Sequence, residues 1–200
     1  KNENLFMKIP MMWVAILRGF FMAFAQFCFF TSLLYLQFAT ANSLTLVTPF
    51  MVAIFSIPIL KIGVGPWKWI AITTGFLGAF MIIDPPSNQM FSVYSLLPLG
   101  ASFGYGMNLV LVRTFPNHVP TVIIQWYSQI SSIFFSLILV ILTFKFVNIQ
   151  SLNDLSMIVL IGIFGGIGVF LMMVSYRMTN HINLGPFHYF GIIFSFILGW

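Results

Sequence analysis

The chain has 200 residues, of which 60% are hydrophobic and 6% charged, where an ordinary soluble domain carries about 25% charged residues. That leaves too little polar surface to cover a globule in water, and the mean hydropathy of +1.04 agrees, so a soluble domain is excluded and lipid is the expected solvent. The net charge of +5 rests on eight dispersed Lys and Arg without the basic stripe that nucleic-acid binding needs, so no nucleic-acid partner is expected.

A spanning helix takes about 20 largely apolar residues. In chain order the candidate segments are 11–36, 43–60, 67–83, 92–112, 121–144, 155–176 and 186–200, a total of about seven spans. Helices are forced because lipid offers no partner to a free backbone N–H or C=O. Turn chemistry separates the segments: Ala41-Asn42, Gly63-Val64-Gly65-Pro66, Asp84-Pro85-Pro86-Ser87-Asn88, Pro116-Asn117-His118-Val119-Pro120 and Asn183-Leu184-Gly185-Pro186. The expected fold class is therefore all-α, a polytopic membrane helix bundle. Cys28 is the sole cysteine, which excludes an internal disulfide and a cysteine-based metal site.

Charge sets the orientation. With alternating crossings, Lys1, Lys8, Lys61, Lys68, Arg113 and Arg177 share one side. Arg18, near the start of the first span, is expected to reach that side by snorkelling. The other side holds Lys145, Asp84 and Asp154. Positive residues favour the cytoplasm, so the first set is cytoplasmic. The pairs Gly100/Gly104, Gly162/Gly166 and Ala71/Gly75 are four apart, a spacing that marks close helix contacts.

Residues 18–83 carry a family resemblance. Arg18-Gly19 opens a helix that ends Thr31-Ser32-Leu33-Leu34-Tyr35-Leu36-Gln37-Phe38-Ala39-Thr40-Ala41-Asn42. Pro49-Phe50 then starts a helix ending Ile57-Pro58-Ile59-Leu60-Lys61. Trp67-Lys68-Trp69 leads into Gly75-Phe76-Leu77-Gly78-Ala79, and the stretch closes at Ile83-Asp84-Pro85. This resembles the third to fifth helices of an EamA-type protein of the drug/metabolite transporter superfamily. Ser175-Tyr176-Arg177, Gly185-Pro186-Phe187-His188-Tyr189 and Leu198-Gly199-Trp200 resemble the eighth and ninth helices. One departure is visible: where the family often has Gly-Glu, this sequence reads Lys61-Ile62-Gly63, so no role of that glutamate transfers. The resemblance implies ten helices in two inverted five-helix repeats with both ends cytoplasmic. Residues 1–91 would be the end of the first repeat and 92–200 a truncated second repeat, with the first two helices and the tenth lying outside the chain. It further implies a secondary transporter in the inner membrane of a bacterium, working by alternating access. The implied partners are the bilayer and a small-molecule substrate; a homodimer is compatible, and no cofactor is implied.

A polar group in hydrocarbon needs a partner or a wet cavity, so polar residues inside the spans are the substrate-binding candidates. Gln26 lies mid-span, either as a cavity ligand or as an interhelical hydrogen bond. Tyr105 and Asn108 are three apart, on one helix face. Tyr35, Asn42, Tyr176, His188 and Tyr189 sit at helix ends or just inside, where an interfacial belt competes with a binding role for the tyrosines. His188 follows Pro186 and is suited to proton coupling, or faces a loop. Gln125 and Gln129 read as an interface-facing stripe. Pro49 and Pro186 are candidate helix breaks or gates, or simply first-turn prolines.

An intramembrane enzyme and a seven-helix receptor are the alternatives. The first lacks a Gly-x-Ser-x-Gly or His-Glu-x-x-His motif, and the second lacks a mid-helix lysine; the chain also lacks the Gly-x-x-x-x-Gly-Lys phosphate loop. Reporter fusions provide the test of orientation: Arg113 is expected in the cytoplasm and Asp84 outside, and finding both in one compartment refutes the arrangement.

Overall fold

The computed structural model describes residues 12–83, 92–143, 151–178 and 189. Among the described residues the regular structure is helical: α1 (Met12–Ser32), α2 (Phe38–Thr45), α3 (Thr48–Leu60), α4 (Pro66–Ile83), α5 (Leu96–Leu111), α6 (Thr121–Thr143) and α7 (Leu152–Met178). Single 3-10 turns, Val93–Ser95 and Val112–Thr114, flank α5. Met12–Ser32, Thr40–Leu60, Val93–Thr114, Thr121–Thr143 and Leu152–Met178 are long and apolar enough to cross a membrane. Segment 67–83 becomes α4, which is 18 residues long and is not one of those stretches. Segment 186–200 lies outside the described residues except for Tyr189. The described residues thus establish a polytopic helical bundle with five such spans; they establish neither seven spans nor an inverted pair of repeats.

The core forms where α1 lies against both α5 and α6, with α3 on the far side of α5. Glycines make these approaches possible. A Cβ on Gly19 would meet the Ser128 carbonyl and Ser131 Cβ at 2.5 Å, and one on Gly104 would meet the Phe21 carbonyl at 2.8 Å. A Cβ on Gly106 would meet Met51 Cβ at 2.7 Å. Val14, Ala15, Val52, Leu109, Val110, Ile124, Met173 and Tyr176 fill the apolar cluster beside them. Within the Gly100/Gly104 pair, Gly104 forms the tight contact, and Gly75 is closed by the Tyr189 ring. For Gly162/Gly166, no atom of the described residues lies within 4 Å of a Cβ placed at either position. Residues 151–168 of the α7 segment are all exposed, and α7 reaches the bundle through Met173 and Tyr176 near its end.

The expected turn at Ala41-Asn42 lies instead inside α2. The chain reverses over residues 33–37, with Gln37 extended at the helix start, and the burial of Ala41 draws the next turns into the bundle as helix. The span then breaks at Leu46–Val47, between α2 and α3. Pro49 explains the break, because it has no N–H and its ring crowds the carbonyl four residues back, that of Thr45. Hydroxyls reach the carbonyls around the break, of which Leu44 O also accepts the Val47 N–H at 3.3 Å. Thr48 Oγ1 donates to Thr45 O at 2.7 Å, Ser102 Oγ lies 3.2 Å from Leu44 O, and the Tyr189 hydroxyl lies 3.4 Å from Leu46 O. At the far end of α3, Lys61 caps the helix with φ 55°, a left-handed conformation that favours glycine.

The glycine contacts give a prediction. Gly19→Val should lower stability by about 1–3 kcal/mol through overpacking, whereas Gly162→Ala, which meets nothing, should raise it by about 0.5–1 kcal/mol. Thermal midpoints in detergent, measured side by side, check both signs.

Candidate functional site

A charged group near a helix start usually extends to the interface. Arg18 does not. It is 3% exposed and turned inward, held by acceptors on two neighbouring helices. Its Nε donates to the Asn108 carbonyl at 3.1 Å and its Nη2 to Asn108 Oδ1 at 3.3 Å. Its Nη1 donates to Ser128 Oγ at 2.9 Å. Asn108 answers by donating its Nδ2 proton to the Arg18 carbonyl at 2.8 Å. The snorkelling expectation is therefore overturned. The reason is local: Gly19 lets α6 approach closely enough for Ser128 to reach the guanidinium, and Asn108 offers a carbonyl and an amide together, so the charge is better solvated inside the bundle than along its flank.

Arg18 borders a cavity of about 260 Å³. Its walls come from Arg18 and Met22 of α1, from Thr45, Leu46, Thr48 and Pro49 at the helix break, and from Tyr105, Asn108, Leu109 and Val112 along α5. The end of α7 closes it with Val169, Met172 and Met173. The wall is mostly apolar with a few convergent polar groups, the usual make-up of a small-molecule site.

Of the sequence candidates, the structure brings Tyr105, Asn108 and Pro49 to this cavity. It does not bring the others. Gln26 lines a separate groove of about 330 Å³ between α1 and α6, beside Phe27, Phe30, Thr31 and Ser136; Phe30 there is 64% exposed, so that groove lies on the outer flank of the helix pair. Tyr35 stacks on Tyr94 with ring centroids 4.1 Å apart and is exposed. Asn42 is half-buried in α2, where its carbonyl accepts the Thr45 hydroxyl. Tyr176 is buried in the apolar cluster. The Tyr189 hydroxyl lies 3.2 Å from Ile72 O as well as 3.4 Å from Leu46 O. His188 and Pro186 fall outside the described residues. Gln129 is exposed, whereas Gln125 is half-buried with Oε1 covered and unpartnered among the described residues.

Sequence reasoning missed Arg18, Ser128 and the threonines of the break. A lone span-edge arginine gives no sign of partners 90 and 110 residues away. Near the same end of the bundle, two further arginines fasten α7. Arg113 Nε donates to the Tyr176 carbonyl at 3.0 Å, while Arg177 donates to Val119 O, Thr121 Oγ1 and Pro116 O at 2.6–2.9 Å.

Membrane-length helices around a cavity of mixed polarity define an integral, polytopic helical membrane protein. Its residues 1–84 match the EamA-like transporter family, so this part of the chain is EamA-like, as its motifs indicated. The chain is 23% identical over 193 residues to the pseudopaline exporter of Pseudomonas aeruginosa, covering 96% of this chain and 66% of that protein. It is 25% identical over 158 residues to the riboflavin transporter of Vibrio cholerae, covering 79% and 52%. The riboflavin transporter of Brucella anthropi is 24% identical over 163 residues, covering 79% and 56%. The chain thus spans between about half and two thirds of the length of these relatives. No solved structure gives a significant match.

Hydrogen bonds between membrane helices average about 0.6 kcal/mol and reach about 1.7 kcal/mol. The Arg18–Asn108 pair makes three, two of them donated by a cation. Asn108→Ala is expected to cost about 2 kcal/mol, and an Arg18→Gln/Asn108→Ala cycle to show a coupling of about 1–2 kcal/mol. Unfolding of the detergent-solubilised variants measures both quantities.

Proposed function

We propose that the protein is a secondary transporter that moves a small organic metabolite or drug-like molecule across the bacterial inner membrane by alternating access. The observation that carries this reading is the cavity beside the Leu46–Val47 break. A carrier needs a site near mid-span, walled by a helix that can bend, and discontinuous helices with freed carbonyls are a recurrent way to build one. Thr48 Oγ1 holds the Thr45 carbonyl at this break, and the Ser102 and Tyr189 hydroxyls, each also near a closer carbonyl, lie beside those of Leu44 and Leu46, contacts that rearrange more readily than a continuous helical ladder.

The EamA-like match over residues 1–84 supports the same reading, as do the names of the relatives, an exporter among them and two riboflavin transporters. On this reading residues 1–91 end a first repeat and 92–200 belong to a second, and rocking of the two about the cavity exposes it to each side in turn. Tyr105 and Asn108 would contact the substrate, and Pro49 would set the bend. A gradient of substrate or protons would supply the energy, since the sequence has no phosphate loop.

The test is a comparison of internal and external metabolite pools in cells with and without the full-length protein, with riboflavin and pseudopaline among the compounds followed. Expression should shift the pool of at least one small metabolite. Filling the cavity by Val169→Trp or Met172→Trp should reduce that shift by about tenfold or more, a barrier change of roughly 1.4 kcal/mol, with the protein still in the membrane. Unchanged pools for every compound, or full flux through both tryptophan variants, would refute the proposal.

A further inference from the structure

We infer that Arg18 is an anion-recognition residue and that the molecule carried is an organic acid, an apolar body bearing a carboxylate or a comparable anionic group. This deepens the transporter reading and rests on it.

The argument starts from charge. Arg18 is nearly sealed from solvent, yet its partners among the described residues are all neutral: the Asn108 carbonyl, the Asn108 side chain and the Ser128 hydroxyl. A guanidinium has five N–H donors; these bonds use three of them, and the remaining two have no partner among the described residues. Asp154 is the only acid among the described residues. It opens α7, whereas the cavity touches that helix only from Val169 onward, roughly 22 Å further along the axis at about 1.5 Å per residue. The described charge that acts on Arg18 is Arg177, which has the same sign. An interior cation is ordinarily paired or coordinates an ion, and this one borders an open cavity instead.

The rest of the wall determines what else the ligand must be. Beyond Arg18, Asn108 and the hydroxyls of Thr45, Thr48 and Tyr105 the side chains of the wall are apolar, so a small hydrated ion would lose more water contacts than these groups replace. A dry cavity of about 150 Å³ holds benzene; the 260 Å³ here leaves room for a two-ring acid. Against a mostly apolar wall, a carboxylate reaching the guanidinium interacts more strongly than it would in bulk water, and the paired donors of an arginine suit its two oxygens.

The experiment uses naphthoate and its neutral counterpart naphthamide as probes on the purified full-length protein, with ligand-induced thermal stabilisation as the readout. Wild type should bind naphthoate at least about tenfold more tightly than naphthamide, the penalty expected when a built polar contact is lost. Arg18→Lys should keep part of that preference and Arg18→Gln should abolish it. Ser128→Asp places a carboxylate beside the guanidinium without removing it; it should also abolish the preference, and it decides the matter if Arg18→Gln does not fold. Equal binding of acid and amide by wild type, equal stabilisation by chloride alone, or a preference that survives in Arg18→Gln or in Ser128→Asp would overturn the inference. The metabolite comparison separates the two failures: if the shifted pools are neutral or cationic compounds, transport stands and anion recognition falls, whereas if no pool shifts, both fall.

Discussion

A positive charge enclosed by hydrocarbon must bring its own solvation, and in this bundle that requirement governs how three helices meet. Arg18 on α1 takes acceptors from Asn108 on α5 and Ser128 on α6. These are the two helices against which α1 packs most extensively. Ser131 repeats the tie one turn on, its hydroxyl donating to the Ile16 carbonyl at 2.9 Å. Neither contact could form with a bulkier residue at position 19, where a single added Cβ would sit 2.5 Å from the Ser128 carbonyl. Close approach and polar satisfaction are thus one constraint: the glycine brings the helices together, and the guanidinium makes that distance favourable.

The same centre connects the bundle to the cavity. Asn108 holds Arg18 and also lines the space beside it, and Tyr105 lies one turn earlier on the same face. On the opposite wall the α-helical hydrogen-bond ladder is interrupted at Leu46–Val47, where both residues keep right-handed dihedrals but proline chemistry prevents a continuous ladder. The cavity therefore lies between a rigid wall, fixed by reciprocal hydrogen bonds, and a softer one whose carbonyls are met by hydroxyls. That asymmetry, more than the volume, distinguishes it from the groove at Gln26, whose lining comes from α1 and α6 alone.

How much of this was legible in the sequence follows from which signals are local. The long apolar stretches declared the helices, because lipid leaves the backbone no alternative. Pro49 lies in the first turn of α3, as its first-turn alternative had it, two residues past the break. Asn108 and Tyr105 stood out as polar groups deep in a span, and both border the cavity. Arg18 was misplaced because its position near a span start fits an outward-reaching side chain, and its real partners come from helices far along the chain. Ala41-Asn42 looked like a turn but continues a helix, since residues 33–37 already make the reversal. Gly162/Gly166 has the spacing of a packing motif, but spacing alone does not say what covers it.

Tyr189 has a consequence of its own. A phenol carries a single hydrogen, and two carbonyls, those of Ile72 and Leu46, lie 3.2 and 3.4 Å from this oxygen. They belong to α4 and to the junction between α2 and α3, so one proton is shared between two pieces of the bundle. Whichever acceptor loses is left without that proton beside the Leu46–Val47 break. The two pieces are thereby tied through the reach of one aromatic ring, whose edge also closes over Gly75.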